Sequence, residues 1–215
     1  MAKDVLTKSK LVDRIVDVAT EAFVSKGIAA VKMDDIAVSL SISKRTLYEQ
    51  FSNKEALLLE CIKRGQEEEK IYMERVSAES DNVLETIMLF YENAVGKLRQ
   101  TSPRFLRDLH KYPLVYDYLE KCRFDNLENS INFFKKGIEQ GLFRDDVDFE
   151  LFHMMSHEQM NLMCDKSLWG RFSLVQIFNS IILVNMRGIS THEGLKKIDE
   201  YVDKLRIKEN IIKNI

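Results

Sequence analysis

The chain has 215 residues, 45% hydrophobic and 31% charged, enough to bury a core for one or two compact domains. Its formal net charge of −2 rules out a polycation, so a nucleic-acid partner would have to be gripped by a few well-aimed cations without help from a global field. Two prolines and eight glycines favour long helices over strands, and three widely spaced cysteines (Cys61, Cys122, Cys164) with no CxxC pair argue for a reducing compartment and against a disulfide framework.

Taken in chain order, Leu11, Ile15, Ala19, Ala22 and Phe23 recur at spacings of three and four, which predicts a first helix entered after Thr7 or Ser9 and stopped by Gly27. A second helix is expected over residues 33–40, burying Ile36, Ala37 and Leu40, and a third over 44–51, burying Leu47 and Phe51 with Ser43 as N-cap. Ile42 plugs the turn between them. Ser52-Asn53-Lys54-Glu55 is a further start signal, and a long helix is predicted over 53–76. Val83, Leu84, Ile87, Phe90, Tyr91, Ala94 and Leu98 mark the next. Pro103 and Pro113 each open a helix, the second reaching Gln140 and stopping at Gly141. Helices over 148–165, over the very apolar 173–187 (stopped at Gly188) and over 191–206 complete the chain. The expected fold class is all-α.

The segment 33–51 reads as a helix-turn-helix, a motif that enters the major groove by the N-terminal part of its second helix. Ser43, Lys44, Arg45 and Thr46 occupy that end. Ser43 and the free N–H groups of the first turn are placed to bind a phosphate; Arg45 suits bidentate hydrogen bonds to guanine, and Thr46 a thymine methyl or a phosphate. Tyr48 and Gln50 lie further along the exposed surface, and Lys54 can grip the backbone beside the recognition helix. Glu49 is the odd member, either facing cytosine N4 or pointing away. A Lys-Arg pair is ordinarily just solvated and a Ser before a helix just a cap. The joint arrangement over an Ile36-Ala37, Leu40-x-Ile42 and Leu47-x-x-x-Phe51 scaffold favours a DNA-facing helix.

These residues resemble the N-terminal domain of the tetracycline-repressor (TetR) family. The likeness is carried by Phe23-x-x-x-Gly27, Met33-Asp-Asp-Ile-Ala37, Ile42-Ser-Lys44, Thr46-Leu-Tyr48, Phe51 and Lys54-Glu55-x-Leu57, over residues 9–58. It implies a three-helix DNA-binding domain (1–54) followed by a larger helical ligand-binding and dimerisation domain (55–215). It also implies a DNA-contacting set of Lys32, Ser43, Lys44, Arg45, Thr46, Tyr48, Gln50 and Lys54. Two positions depart from the family pattern: Ser41 stands where the turn often has Gly, at a cost of about 1 kcal/mol, and Lys32 where an N-capping Thr is common. The partners implied are double-stranded operator DNA, a small-molecule effector and a second copy of the chain joined through the C-terminal helices, with the apolar 173–187 helix suited to that role.

Phe90, Phe105, His110, Tyr112, Tyr116, Phe124, His153 and Trp169 are the aromatic and polar-aromatic residues available to line an effector pocket. His153 and His157 stand four apart on one helical face, but no second ligand pair accompanies them, so pocket or interface lining is favoured over a metal. No cofactor motif, nucleophile–base pair, carboxylate dyad or phosphate loop is readable, which argues against an enzyme. With no apolar run approaching the ~20 residues of a membrane span and no signal-type start, the chain is expected in the cytoplasm. The expected function is therefore a ligand-responsive transcriptional regulator, a repressor on a palindromic operator; the alternative is an interaction protein that uses DNA only as a scaffold.

Overall fold

A computed structural model describes residues 2–165, 167, 168 and 171–213, the side chains of 2–8, 123, 124, 164 and 205–213 excepted. The fold is all-α. The helices are α1 (Ala2–Lys26), α2 (Met33–Ser39), α3 (Lys44–Gln50), α4 (Lys54–Glu79), α5 (Val83–Gln100), α6 (Pro103–Leu109), α7 (Pro113–Asp125), α8 (Leu127–Glu139), α9 (Phe149–Met160), α10 (Leu174–Ile189) and α11 (His192–Lys213). Among the described residues, no helix is long and apolar enough to cross a membrane.

The chain packs as two compact units. One holds Met1–Ile71 with Leu98–Phe124 and Cys164–Ser167; the other holds Tyr72–Lys97 with Asp125–Met163 and Leu168–Ile215. In the first, Ile15, Val16, Ala19 and Phe23 of α1 meet Met33, Ile36 and Ala37 of α2, Leu47 of α3, and Leu57, Leu58 and Cys61 of α4 in one core. Each fully buried aliphatic or aromatic side chain there contributes about 1.5–3 kcal/mol. Ile42 is half-buried against the same core, filling the turn as the sequence suggests.

Helix α6 is fastened to the end of α1 by three contacts. Ser102 N–H donates to Val24 O at 2.8 Å. Gly27 takes φ 89°, and a Cβ there would stand 2.6 Å from Arg104 Cβ, so glycine both ends α1 in the left-handed region and admits the second helix. Asp108 is fully buried: its Oδ2 accepts from Ala29 N–H at 2.8 Å, while its Oδ1 accepts from Lys111 Nζ at 2.7 Å and Arg107 Nε at 3.2 Å. Burial alone would raise this carboxyl's pKa, but Lys111, the Ala29 N–H and Arg107 together hold it below the ordinary carboxylate value.

The second unit is built on Val83, Leu84, Met88, Leu142, Phe143, Phe149, Met186, Ile189, Ile198 and Val202. Phe134 stacks on Phe149 with centroids 4.7 Å apart, and the Phe143 ring lies on Gly137, where a Cβ would come within 2.1 Å of it. After Gly141 (φ 69°) the chain passes along the end of α10: Thr191 N–H donates to Leu142 O, Arg144 N–H to Ile189 O, and the Arg144 guanidinium binds Asp146 and Gly188 O.

Several boundaries differ from the sequence reading. Helix α1 begins at Ala2, before Thr7, because Ala, Lys and Leu offer nothing to break it. The single helix expected over 113–140 is two, divided at Asn126, whose ψ of −3° leaves the helical range; a one-residue break of this kind does not disturb apolar periodicity. Gly188 does not stop α10, which runs to Ile189 and ends where Ser190 turns extended to pair with Phe143. The stretch expected to be helical through 165 passes from α9 into a tighter 3-10 turn at Asn161–Cys164, and α11 continues past 206 to Lys213.

Candidate nucleic-acid interface

The turn between α2 and α3 is a Schellman end: Ile42 N–H donates to Ala37 O and Ser41 N–H to Val38 O, each at 3.0 Å. This geometry requires a left-handed residue, and Ser41 supplies it at φ 55°. A non-glycine residue there costs about 1–2 kcal/mol, and glycine would return part of that through a freer unfolded chain. Ser41→Gly is therefore expected to raise stability by about 0.5–1 kcal/mol, read as a higher urea midpoint at unchanged slope; an equal or lower midpoint would contradict the strain.

Helix α3 opens on Ser43, extended at ψ 151°, whose Oγ accepts from Thr46 N–H at 3.0 Å and lies 2.8 Å from Thr46 Oγ1. Leu47 is buried and Phe51 closes the helix into the core, which turns Lys44, Arg45, Tyr48 and Glu49 outward as exposed residues. Both cations have carboxylate partners. Lys44 Nζ lies 2.5 Å from Asp34 Oδ2 across the turn, which raises the lysine pKa through that hydrogen bond and the charge behind it. Arg45 Nε donates to Glu49 Oε1 at 2.9 Å, one turn along the same helix.

The charge order of α3 is the reverse of what a helix prefers. Anions are favoured near the N-terminus and cations near the C-terminus, each by about 0.3–1 kcal/mol. Here the first turn holds Lys44 and Arg45 and no acid, and the last turn no base. Helix stability does not explain this arrangement.

The remaining candidates stand around this core. Gln50 is half-buried and Tyr48 is 48% exposed. Lys32 is exposed at the N-cap of α2; its N–H donates to Asp35 Oδ2 at 2.9 Å, but an ammonium has no lone pair to cap the first-turn N–H groups. Lys54 is half-buried, its Nζ 6.0 Å from the Phe23 ring centroid. Burial lowers its pKa, opposed by the Asp108 and Asp35 carboxylates. Two acidic residues of this region were not singled out by sequence: Asp34, whose link to Lys44 spans a turn and has no helical spacing, and Asp108, which reads as an ordinary surface acid between Arg107 and Lys111.

The eight effector-pocket candidates do not gather in one unit. Phe105, His110, Tyr112 and Tyr116 belong to the first, with Phe105 and Tyr112 packed on its core and His110 and Tyr116 exposed. Phe90 and His153, both half-buried, belong to the second; Trp169 and the side chain of Phe124 lie outside the described residues. His153 Nε2 is shut off from solvent and has no hydrogen-bond partner among the described residues. Two surface depressions of about 490 and 430 Å3, beside Phe143 and Thr191 and beside Thr20 and Arg64, are lined by none of the six described candidates. Cys61 is buried and Cys122 half-buried, both free thiols, and burial pushes Cys61 up to about 11. Among the described residues no group of three or more His, Cys, Asp or Glu is placed to hold a metal ion.

Comparison with known proteins bears directly on this site. Residues 15–61 match the family model described as bacterial regulatory proteins, tetR family. The chain is 27% identical over 157 residues to the HTH-type transcriptional repressor KstR2 of Rhodococcus jostii (strain RHA1), covering 70% of this chain and 76% of that protein. Among solved structures it is similar to a regulator from Saccharomonospora viridis in complex with choline (TM-score 0.69, 17% identity, 86% of this chain and 100% of that one). It is also similar to the ketosteroid regulator KstR2 of Mycobacterium tuberculosis (TM-score 0.51, 18% identity, 84% and 95%). At these identities the structural likenesses establish the fold.

Proposed function

The chain belongs to the TetR family of bacterial transcriptional regulators, and from that we propose that it is a repressor that binds a palindromic operator as a homodimer and is released by a small-molecule effector. The observation that carries this reading is the outward, dipole-opposed placement of Lys44 and Arg45 at the entering end of α3, over buried Leu47 and Phe51. Residues 1–54 are the DNA-contacting domain and 55–215 the effector and dimer domain. Lys32, Ser43, Thr46, Tyr48, Gln50 and Lys54 surround Arg45 as contacts to bases and phosphates. The protein works in the cytoplasm, without catalysis.

Homodimerisation has its own support. Leu151, Met154 and Met155 of α9 lie on one helical face with Leu162 just beyond, all exposed, and Val184 of α10 is 69% exposed. An apolar stripe of this kind on one chain is the self-complementary surface that a two-fold dimer covers. On a palindromic operator the two recognition helices of a dimer would enter successive major grooves about 34–36 Å apart, one turn of the duplex. Effector binding is supported by Nε2 of His153, buried and without a hydrogen-bond partner among the described residues, a group that a bound polar ligand would satisfy. The effector acts only by preferring one conformation of the dimer over the other.

Selection of fragments of the source genome by the full-length protein at low salt tests the proposal. Enrichment of one or two promoter sites with imperfect dyad symmetry is the expected result. Many scattered sites without a shared motif would favour the DNA-scaffolded interaction protein, and no preferred site at all would overturn base reading by α3.

A further inference from the structure

The carboxylate of Glu49 is the one charged group of α3 that the operator-binding reading leaves without a task. Its Oε1 takes the inner nitrogen of Arg45, Nε, at 2.9 Å. The Arg45 side chain is 88% exposed and Glu49's 55%. A guanidinium has five N–H donors, and bidentate recognition of guanine O6 and N7 needs two of those on the terminal nitrogens. A bond at Nε therefore fixes the plane and reach of the fork while leaving its outer edge free.

Stability does not account for the pair. An exposed ion pair on a helix contributes little, and with the arginine N-terminal to the acid the order is the less favourable one, against both the helix dipole and the preferred i,i+4 orientation. Nor does raw affinity account for it, because a carboxylate on the recognition surface repels the phosphate backbone. What remains is discrimination. A fork held in one orientation loses less freedom on meeting guanine, and a nearby carboxylate penalises every bound register in which Arg45 does not find its base. We infer that Glu49 is a specificity-determining positioning residue: it orients Arg45 for guanine and lowers binding to non-operator DNA. This rests on the operator-binding reading above.

The test is selection from a randomised duplex library by full-length wild type, Arg45→Ala, Glu49→Ala, Glu49→Gln and the Arg45→Ala/Glu49→Ala double variant, with affinity for a scrambled duplex measured alongside. Arg45→Ala is expected to flatten one guanine preference by roughly 5- to 150-fold. Glu49→Ala is expected to weaken preference at that same base pair by about 3- to 10-fold while binding the scrambled duplex about 2- to 5-fold more tightly, a pair of opposite changes that simple loss of folded protein cannot produce. Glu49→Gln, whose amide oxygen still accepts from Nε, restores most of the preference but keeps the tighter scrambled-duplex binding. In the double variant the Glu49 change adds nothing further to the loss of preference. An unchanged motif in Glu49→Ala overturns the assignment. So does a loss at a different base pair from that lost in Arg45→Ala, which would make Glu49 a direct reader. A wild type that enriches no motif overturns the regulator reading itself, and the assignment with it.

Discussion

Exchanging the two charges of α3, as Arg45→Glu with Glu49→Arg, is expected to abolish operator binding, by about 100-fold or more, while the thermal midpoint stays level or rises. The swapped helix has the same composition and net charge and keeps an i,i+4 pair, now in the favoured order with the acid in the first turn. The dipole and pair terms together change by about 0.5–1.5 kcal/mol in favour of the helix. At the duplex the sign reverses. A guanine-reading fork worth about 1–3 kcal/mol is lost, and a carboxylate is set at the entering end of the helix, where like-charge juxtaposition costs several kcal/mol more. Operator dissociation constants at one fixed salt concentration and melting midpoints on the same samples read both quantities. Operator affinity within a few-fold of wild type would move base reading to Thr46, Tyr48 or Gln50.

That separation of stability from binding is possible because α3 obeys two sets of rules on two faces. Its inner face was legible in the sequence: Leu47 and Phe51 are spaced for burial and Ser43 is suited to cap, whereas the left-handed turn at Ser41 was marked only by resemblance to the family, which often has Gly there. The outer face was legible only as a set of residue types. Whether Glu49 met a base or pointed away could not be read from spacing alone, since both are open to an exposed residue at that position; the bond to Arg45 Nε gives it a third role. Lys44's partner was hidden for a different reason, because Asp34 approaches it through the turn geometry and not through helical periodicity.

Beyond α4 the sequence constrains less. Apolar periodicity located the helices, but Asn126 breaks one without altering the pattern, and Gly188 lies inside α10 because a glycine ends a helix only where the backbone turns left-handed, as at Gly27 and Gly141. The apolar character of 173–187 pointed to that helix for covering a second copy. Leu174, Ile177, Phe178, Ile181, Met186 and Ile189 of α10 find cover within their own chain, while Val184 of the same helix stays exposed, as do Leu151, Met154 and Met155 of α9. Composition reports how much apolar surface a helix carries; which side of it the rest of the unit leaves open depends on packing that no single helix encodes.

The largest stability effect outside the apolar core is expected at Asp108, where Asp108→Ala should cost about 2–4 kcal/mol. The side chain is wholly buried and bridges α6 to Ala29, just before α2, so its removal leaves the Ala29 N–H without its acceptor and releases Lys111 and Arg107 from their common partner. Asp108→Asn keeps one oxygen for the Ala29 N–H but not the charge that Lys111 and Arg107 share, and should cost roughly half as much. The two variants also differ from wild type in acid. Because the folded-state pKa of Asp108 is depressed, its contribution is complete above the unfolded value of about 3.9 and drains away as pH falls through the lower folded value. Urea midpoints followed from pH 6 to about pH 3 should therefore fall less steeply in Asp108→Asn than in wild type. Parallel acid limbs would mean that the charge on Asp108 contributes nothing and that the Ala29 hydrogen bond alone holds the loop. Since that loop leads directly into the first turn of α2, a steeper limb in wild type would also tie the integrity of the DNA-facing helices to a carboxylate on α6.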